Sequence, residues 1–252
     1  GITARTYSFA DAGVYSANNV SYFSGTVTTV HAYAGGTSRA DLITTRGKKI
    51  TTRKLSLTNR YKTLANAVSK QSANGISVNF GGSVTVNTAI AVARSNACAG
   101  IEGDGEVEAD AGEPDSEDEE TPISIDILCE GTAQSDAKVL SASLSVDNIK
   151  IAANNVVSTV SATHTAHIGS KGKSPTVTGK NGDIRVVSKF NNSANCGATA
   201  LVGSGGGTDG SLSITMIGGA ESSANANMEA QAKAGILSGI INAAKNVIVE
   251  MH

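Results

Sequence analysis

Ile76-Ser77-Val78-Asn79-Phe80-Gly81-Gly82-Ser83-Val84-Thr85-Val86 decides the fold. Ile76, Val78 and Phe80 alternate with polar Ser77 and Asn79, which is the period of a half-buried strand. Gly81-Gly82 then interrupts the run before alternation resumes at Val84 and Val86. A further bulge or turn is expected near Thr88–Ala89. The same pattern recurs outward along the chain. Ile184 and Val186 alternate with Arg185 and Val187 just after Asn181-Gly182, a strong turn signal. Leu144, Val146, Ile149 and Ile151 form two short alternating runs around Asp147-Asn148. Strands of about four to seven residues separated by Gly, Asn or Asp suit a sandwich, a barrel or a parallel β-helix. The segment 227–245 has helix-forming composition, but Ala224, Ala226, Met228, Ala230, Ala232 and Ala234 recur at period 2. Gly235 and Gly239 would also break a helix, so strands are expected there.

Composition narrows the choice. The 252 residues contain no Trp, 4 % aromatics and 28 Gly, so Ala, Val and Ile must carry the interior. Small and β-branched side chains fit a thin, regular interior built of stacked layers better than the thick core of a typical enzyme. Internal echoes support stacking. Ala17-Asn18-Asn19-Val20 returns as Ala153-Asn154-Asn155-Val156. His31–Gly35 is echoed by Thr165–Gly169, and Gly82–Val86 by Gly210–Ile214. The chain therefore reads as an all-β, parallel β-helix or solenoid made of two copies of a unit of roughly 110–135 residues. Residues 1–101 form the first copy and 123–252 the second, with 102–122 as an acidic loop inserted in the first. Coils of roughly 20–30 residues at a spacing of about 4.8 Å would make a rod on the order of 40–60 Å long, with Asn and Ser ladders between coils.

The stretches Thr165-Ala166-His167-Ile168-Gly169, 176–194 (TVTGKNGDIRVVSKFNNSA) and 210–226 (GSLSITMIGGAESSANA) resemble the coils of leukotoxin-like large filamentous adhesins. In the first half, 30–36, 47–59 and 75–93 fit the same frame. The resemblance covers roughly 14–100 and 140–250 and rests on a pattern of small residues. It implies a wide right-handed β-helix, an extracellular or cell-surface location and a structural or adhesive role. It supplies no catalytic residues. The acidic stretch and the cysteines depart from it.

Charge is uneven. Residues 102–120 hold eleven of the twenty-two acidic residues and no basic one. Arg39, Arg46, Lys48, Lys49, Arg53, Lys54, Arg60 and Lys62 crowd 39–62 against Asp41 alone. That basic stretch lacks the interleaved aromatics of a nucleic-acid surface and reads as a solvated strand face. Asp104, Glu106, Glu108 and Asp110 alternate as calcium-loop oxygen ligands do. Ala111 stands where such a loop needs Gly, and Pro114 falls inside it, so the competing reading is a solvated acidic loop. Cys98 and Cys129 bracket the stretch, and a disulfide between them would contribute roughly 3–4 kcal/mol. The alternative is that these two and the leftover Cys196 are unpaired buried residues. His164 and His167, three apart, would face opposite sides of a strand and read as surface or turn histidines. Gly172-Lys173-Ser174 lacks the first Gly of a phosphate loop and is followed by Pro175. No basic-then-apolar leader follows Gly1, which reads as a mature form or fragment, and no apolar run is long enough to span a bilayer.

The expected function is thus non-enzymatic: a segment or subunit of an extracellular bacterial filament or surface adhesin, stacking end to end. Its partners would be copies of itself, neighbouring coils or a surface receptor, with no nucleic acid and no membrane span. A polysaccharide-active β-helix enzyme and a viral or phage fibre segment are the alternatives.

Overall fold

Alternation dictates strands, and strands whose two neighbours are chemically alike stack in parallel. The computed structural model describes residues 1–16, 20–71, 76–112, 121–141, 144–198, 205–206 and 212–252, and has no helix among them. Its strands are β1 (Ile2–Ser16), β2 (Val20–Thr44), β3 (Lys49–Thr52), β4 (Leu55–Gln71), β5 (Ile76–Gly103), β6 (Glu106–Asp110) and β7 (Ile123–Ser141). They continue as β8 (Leu144–Ile168), β9 (Thr176–Lys180), β10 (Asp183–Ala198), β11 (Gly205–Gly206), β12 (Leu212–Ile236), β13 (Ile240–Ala243) and β14 (Val247–Met251).

They form three sheets: A in the order β1-β4-β7-β10-β14, B in the order β11-β12-β8-β5-β2 and C in the order β13-β9-β6-β3. Each pass of the chain visits A, B and C in turn, then returns to A one place further along. All the ladders are parallel except the short pairing of β11 with β12.

The period differs from the expected one. Ile2 lies beside Leu57, Leu57 beside Ile127, Ile127 beside Val186 and Val186 beside Val249, so a pass takes 55 to 70 residues rather than 20–30. Five strands at about 4.8 Å give a stack on the order of 20 Å, shorter than expected but wide. The 110–135-residue unit corresponds to two passes, yet the quoted echoes are out of register. His31 sits on Ile90, which sits on Val157 rather than Thr165. Ser83 sits on Lys150, which aligns with Gly218. Residues 17–19, 210 and 211 lie outside the described residues.

Strands are also longer than expected, 28 residues in β5. Gly81-Gly82 is absorbed as a register irregularity between Asn79 and Ser83, while pairing runs unbroken through Thr88 and Ala89. Asn87 does not end its strand either. Its Nδ2 donates to Asn154 Oδ1 in the next pass (3.0 Å), the expected side-chain ladder. The alternating Ala residues 224–234 lie in β12, as expected.

The inward faces of the three sheets share a core of two parts. Beside sheet C, Leu55, Leu57, Tyr61, Ile101, Val107, Ile125, Ile127, Ile168, Val177 and Ile184 pack together. Further along A and B the core is Ala65, Ala67, Ala89, Ala91, Ala93, Ala133 and Ala137 with a few Val. Here the sheets are close enough for a serine on one to reach the other's backbone: Ser158 Oγ in β8 donates to Ser135 O in β7 at 2.9 Å. Toward the broad end, Ser188 Oγ in β10 donates to His164 O in β8 at 3.1 Å. Sheets A and B are thus linked side chain to backbone across the interior in both places. The turn from B to C is made by Gly103 at φ 101°, where a Cβ would meet Thr44 O at 1.9 Å. Asn181, at φ 55°, makes the turn from β9 into β10.

Residues 102–110 are not part of an inserted loop. They complete β5 and form β6, whose Val107 and Ala109 are fully buried while Glu106, Glu108 and Asp110 face outward. The alternation of carboxylates is therefore the polar half of a strand's period. Residues 113–120 lie outside the described residues.

Candidate functional site

Three outward-facing groups of polar side chains concentrate the chemistry. The first lies on sheet C. Glu108 accepts from Lys49 Nζ in the preceding pass and Lys180 Nζ in the following one, both at 2.7 Å. Those two lysines hold its carboxyl down to about 2. Asp104 accepts from the Ser174 backbone N–H (3.0 Å) and Lys173 Nζ (3.2 Å), and both hold its carboxyl below the usual range. Asp110 Oδ1 accepts from Gly112 N–H and Asn181 Nδ2, which depress its carboxyl likewise. The calcium candidates Asp104, Glu106, Glu108 and Asp110 thus form an outward row, three of them occupied by protein donors. Among the described residues no three His, Cys, Asp or Glu side chains form a metal-holding group.

The second group lies on the outer face of sheet B, where Arg39 sits on Cys98 and Asp41 on Gly100, which sits on His167. The His167 ring lies over Gly100, where a Cβ would approach its Cε1 to 2.5 Å. Its Nδ1 is 3.5 Å from Cys98 Sγ and its Nε2 3.2 Å from Glu102 Oε1. Arg39 ties the group together through Asp41 Oδ2 at 2.5 Å and Glu102 Oε1 at 3.0 Å. Burial, with Asp41 next, pushes the Cys98 thiol up to about 12. At neutral pH it is a protonated thiol held in an ionic network.

These positions correct two expectations. Cys98 and Cys129 are free thiols. The parity of their strands separates them: Cys129 points into the core, whereas Cys98, between inward-facing Ala97 and Ala99, points outward. The side chain of Cys196 lies outside those described. The two histidines do face opposite sides of β8, but neither is a surface residue. His164 is fully buried against Gly131, where a Cβ would fall 1.5 Å from its Cε1. Desolvation holds its pKa below the ordinary 6.5. The Arg39–Asp41–Cys98–Glu102–His167 group carries no motif along the chain, because it depends on two ladder offsets that differ between passes.

The third group is on sheet A. The outward row Arg5, Arg60, Glu130 runs across β1, β4 and β7, beside a second row Tyr7, Lys62, Thr132. Arg60 Nε contacts Glu130 (3.1 Å), and Lys62 Nζ lies 5.7 Å from the centre of the Tyr7 ring. The basic stretch 39–62 is therefore split over all three sheets: Arg39 on B, Lys49 on C, Arg60 and Lys62 on A.

The free edge of the last pass shows its core-facing side. Met228, Ile236, Val247, Val249 and Met251 are 51, 38, 42, 45 and 61 % exposed. They stand in the columns of Val160, Ile168, Ile184, Val186 and Ser188, all fully buried one pass earlier. No described helix is long and apolar enough to cross a membrane. The chain matches no protein-family model, no curated protein and no solved structure. What fold and surface define is a class: an all-β chain of three parallel sheets.

Proposed function

We propose that the chain is a segment of a right-handed parallel β-solenoid that serves as a structural and adhesive rod at the cell surface, joining further coils or copies of itself end to end. The observation carrying this reading is the uncovered edge of the last pass. A repeat stack normally ends in a polar cap, and an exposed strand edge lined by apolar residues templates another strand. Met228, Ile236, Val247, Val249 and Met251 form such an edge. Right-handedness follows the general rule for crossovers between parallel strands of one sheet. The placement at the cell surface and the adhesive role rest on the small-residue coil pattern of the sequence. The interior gives the reading further support, because the inward column Leu57, Ile127, Val186 and Val249 keeps its apolar character from pass to pass and can be extended by a further pass.

Electron microscopy of the purified chain, with sedimentation at low and high salt, tests the proposal. End-to-end rods that persist at high salt are expected, since the joining edges are apolar. Compact single particles at every concentration would contradict it. Met228→Lys combined with Val249→Lys should abolish the rods while leaving the far-UV spectrum of the chain unchanged.

A further inference from the structure

The first three passes leave an open groove of about 570 Å³ on the outer face of sheet A, lined by Arg5, Tyr7, Arg60, Lys62, Glu130 and Thr132. Its volume falls within the usual span of small-ligand sites, about 300–1,000 Å³. Three cations line it against one carboxylate, and Glu130 is tied to Arg60 at 3.1 Å. The Tyr7 ring is 63 % exposed, and Phe9, the next outward residue along β1, is 55 % exposed. The guanidinium of an arginine presents a planar fork of donors that matches a carboxylate or sulfate bidentately, and an exposed aromatic face packs the C–H side of a sugar ring.

The extent of the charge selects among polyanions. Across β1, β4, β7 and β10 the rows on either side are uncharged: Thr3, Thr58, Leu128 and Val187 on one side, before it reaches Glu250 in β14, and Phe9, Leu64, Gln134 and Ser193 on the other. The row of Arg5, Arg60 and Glu130 continues to Lys189 in β10, so the strip spans only two side-chain rows and about 14 Å across four strands. That fits a short anionic segment. It gives no track for the phosphates of a polynucleotide, which needs a long basic groove with successive stacking rings.

We propose that this groove binds a short anionic glycan, its carboxylate or sulfate groups on Arg5, Arg60 and Lys62 and one sugar ring on Tyr7. The proposal rests on the adhesive reading and gives it a ligand class. Glu130 acts in it as the restraint that fixes the Arg60 fork, at a cost in charge.

The test is calorimetric titration of the whole chain with three probes: a heparin tetrasaccharide, tetragalacturonate and neutral maltotetraose. Binding of at least one charged probe is expected, with maltotetraose about tenfold weaker or undetectable. The two charged probes distinguish sulfate from carboxylate recognition. Arg5→Gln and Arg60→Gln should each weaken binding about tenfold and Tyr7→Ala about fivefold, with Lys245→Gln as an exposed control changing it less than about twofold. Glu130→Gln should tighten it.

No binding of either charged probe overturns the proposal. So does equal binding of a single-stranded DNA oligomer that is indifferent to Tyr7→Ala, which would mark plain polyanion attraction. Thermal unfolding of each variant verifies its fold. Microscopy of the unsubstituted chain beside the titration separates the two readings: rods without binding of either charged probe sink this proposal alone, and glycan binding without rods sinks the end-to-end reading alone.

Discussion

The two ends of the interior solve the same packing problem differently. Beside sheet C three sheets meet, and the space is filled by Leu, Ile, Val and Tyr61. Along the rest of A and B only two sheets face each other, and ten of the fourteen buried hydrophobic residues are Ala, with no Leu, Ile or aromatic side chain. A buried Leu or Ile contributes about 1.5–3 kcal/mol through burial, and Ala far less. The thin part relies instead on long parallel ladders and on polar links, Asn87 to Asn154 within a sheet and Ser158 to Ser135 between sheets. The broad part resembles an ordinary core; the thin part resembles a stacked laminate. It follows that the broad part resists loss of volume poorly and the thin part resists gain of volume poorly.

The largest effect is expected at the boundary between the two. Gly131→Ala would drive a Cβ to 1.5 Å from His164 Cε1 and should cost about 3 kcal/mol or more in denaturant unfolding. His164→Ala in the same chain should recover part of that loss, a positive coupling in a double-mutant cycle. Ile127→Ala in the broad part should cost about 2–5 kcal/mol. In the thin part the sign of the size change reverses, and Ala91→Leu should cost about 1–3 kcal/mol by forcing the sheets apart. If Ala91→Leu were neutral, the distinction between the two regions would collapse.

Polar links give smaller effects. Ser158→Ala removes the donor to Ser135 O and strands the Ser135 hydroxyl, which also contacts Ser158 Oγ, and should cost about 1–2 kcal/mol, read from the same unfolding curves. His164 is held below its ordinary 6.5 by desolvation, so the unfolded chain binds the proton that the folded chain refuses. Stability should therefore hold above 6.5 and fall as the pH drops below it. His164→Gln should flatten that slope. The smallest effect belongs to Glu108, which faces outward and is half-buried under its two lysines. Its carboxyl, lowered to about 2 from 4.5, contributes above 4.5 and loses the contribution as the pH falls toward 2. Glu108→Gln should lower the melting temperature slightly at low salt and not at all at high salt.

This contrast was partly legible in the sequence. The alternation at Ile76–Phe80 and 224–234 gave strands, and the lack of aromatics gave a thin interior, because both depend only on neighbouring residues. The pass length did not follow. Short echoes such as His31–Gly35 with Thr165–Gly169 reflect repeated composition, while the true offsets vary between 55 and 70 residues with the turns. Carboxylates at 104, 106, 108 and 110 have one period whether they wrap an ion or line a strand, and only the burial of Val107 and Ala109 decides between these. The Cys98–Glu102–His167 contacts and the Arg5–Arg60–Glu130 row needed the register itself.

That register is the claim on which the rest stands. In a chain with Cys98, Cys129 and Cys196 replaced by Ala, cysteines are placed at Asn96 and Thr163, which face each other on β5 and β8. Strand spacing of about 4.8 Å lies within the reach of a disulfide. Mild oxidation followed by peptide mass mapping should show the 96–163 link in nearly every molecule. It should show none between Asn96→Cys and Thr159→Cys, whose ladder position lies beside Val92. A 96–159 link, or no link from either pair, would contradict the three-sheet register.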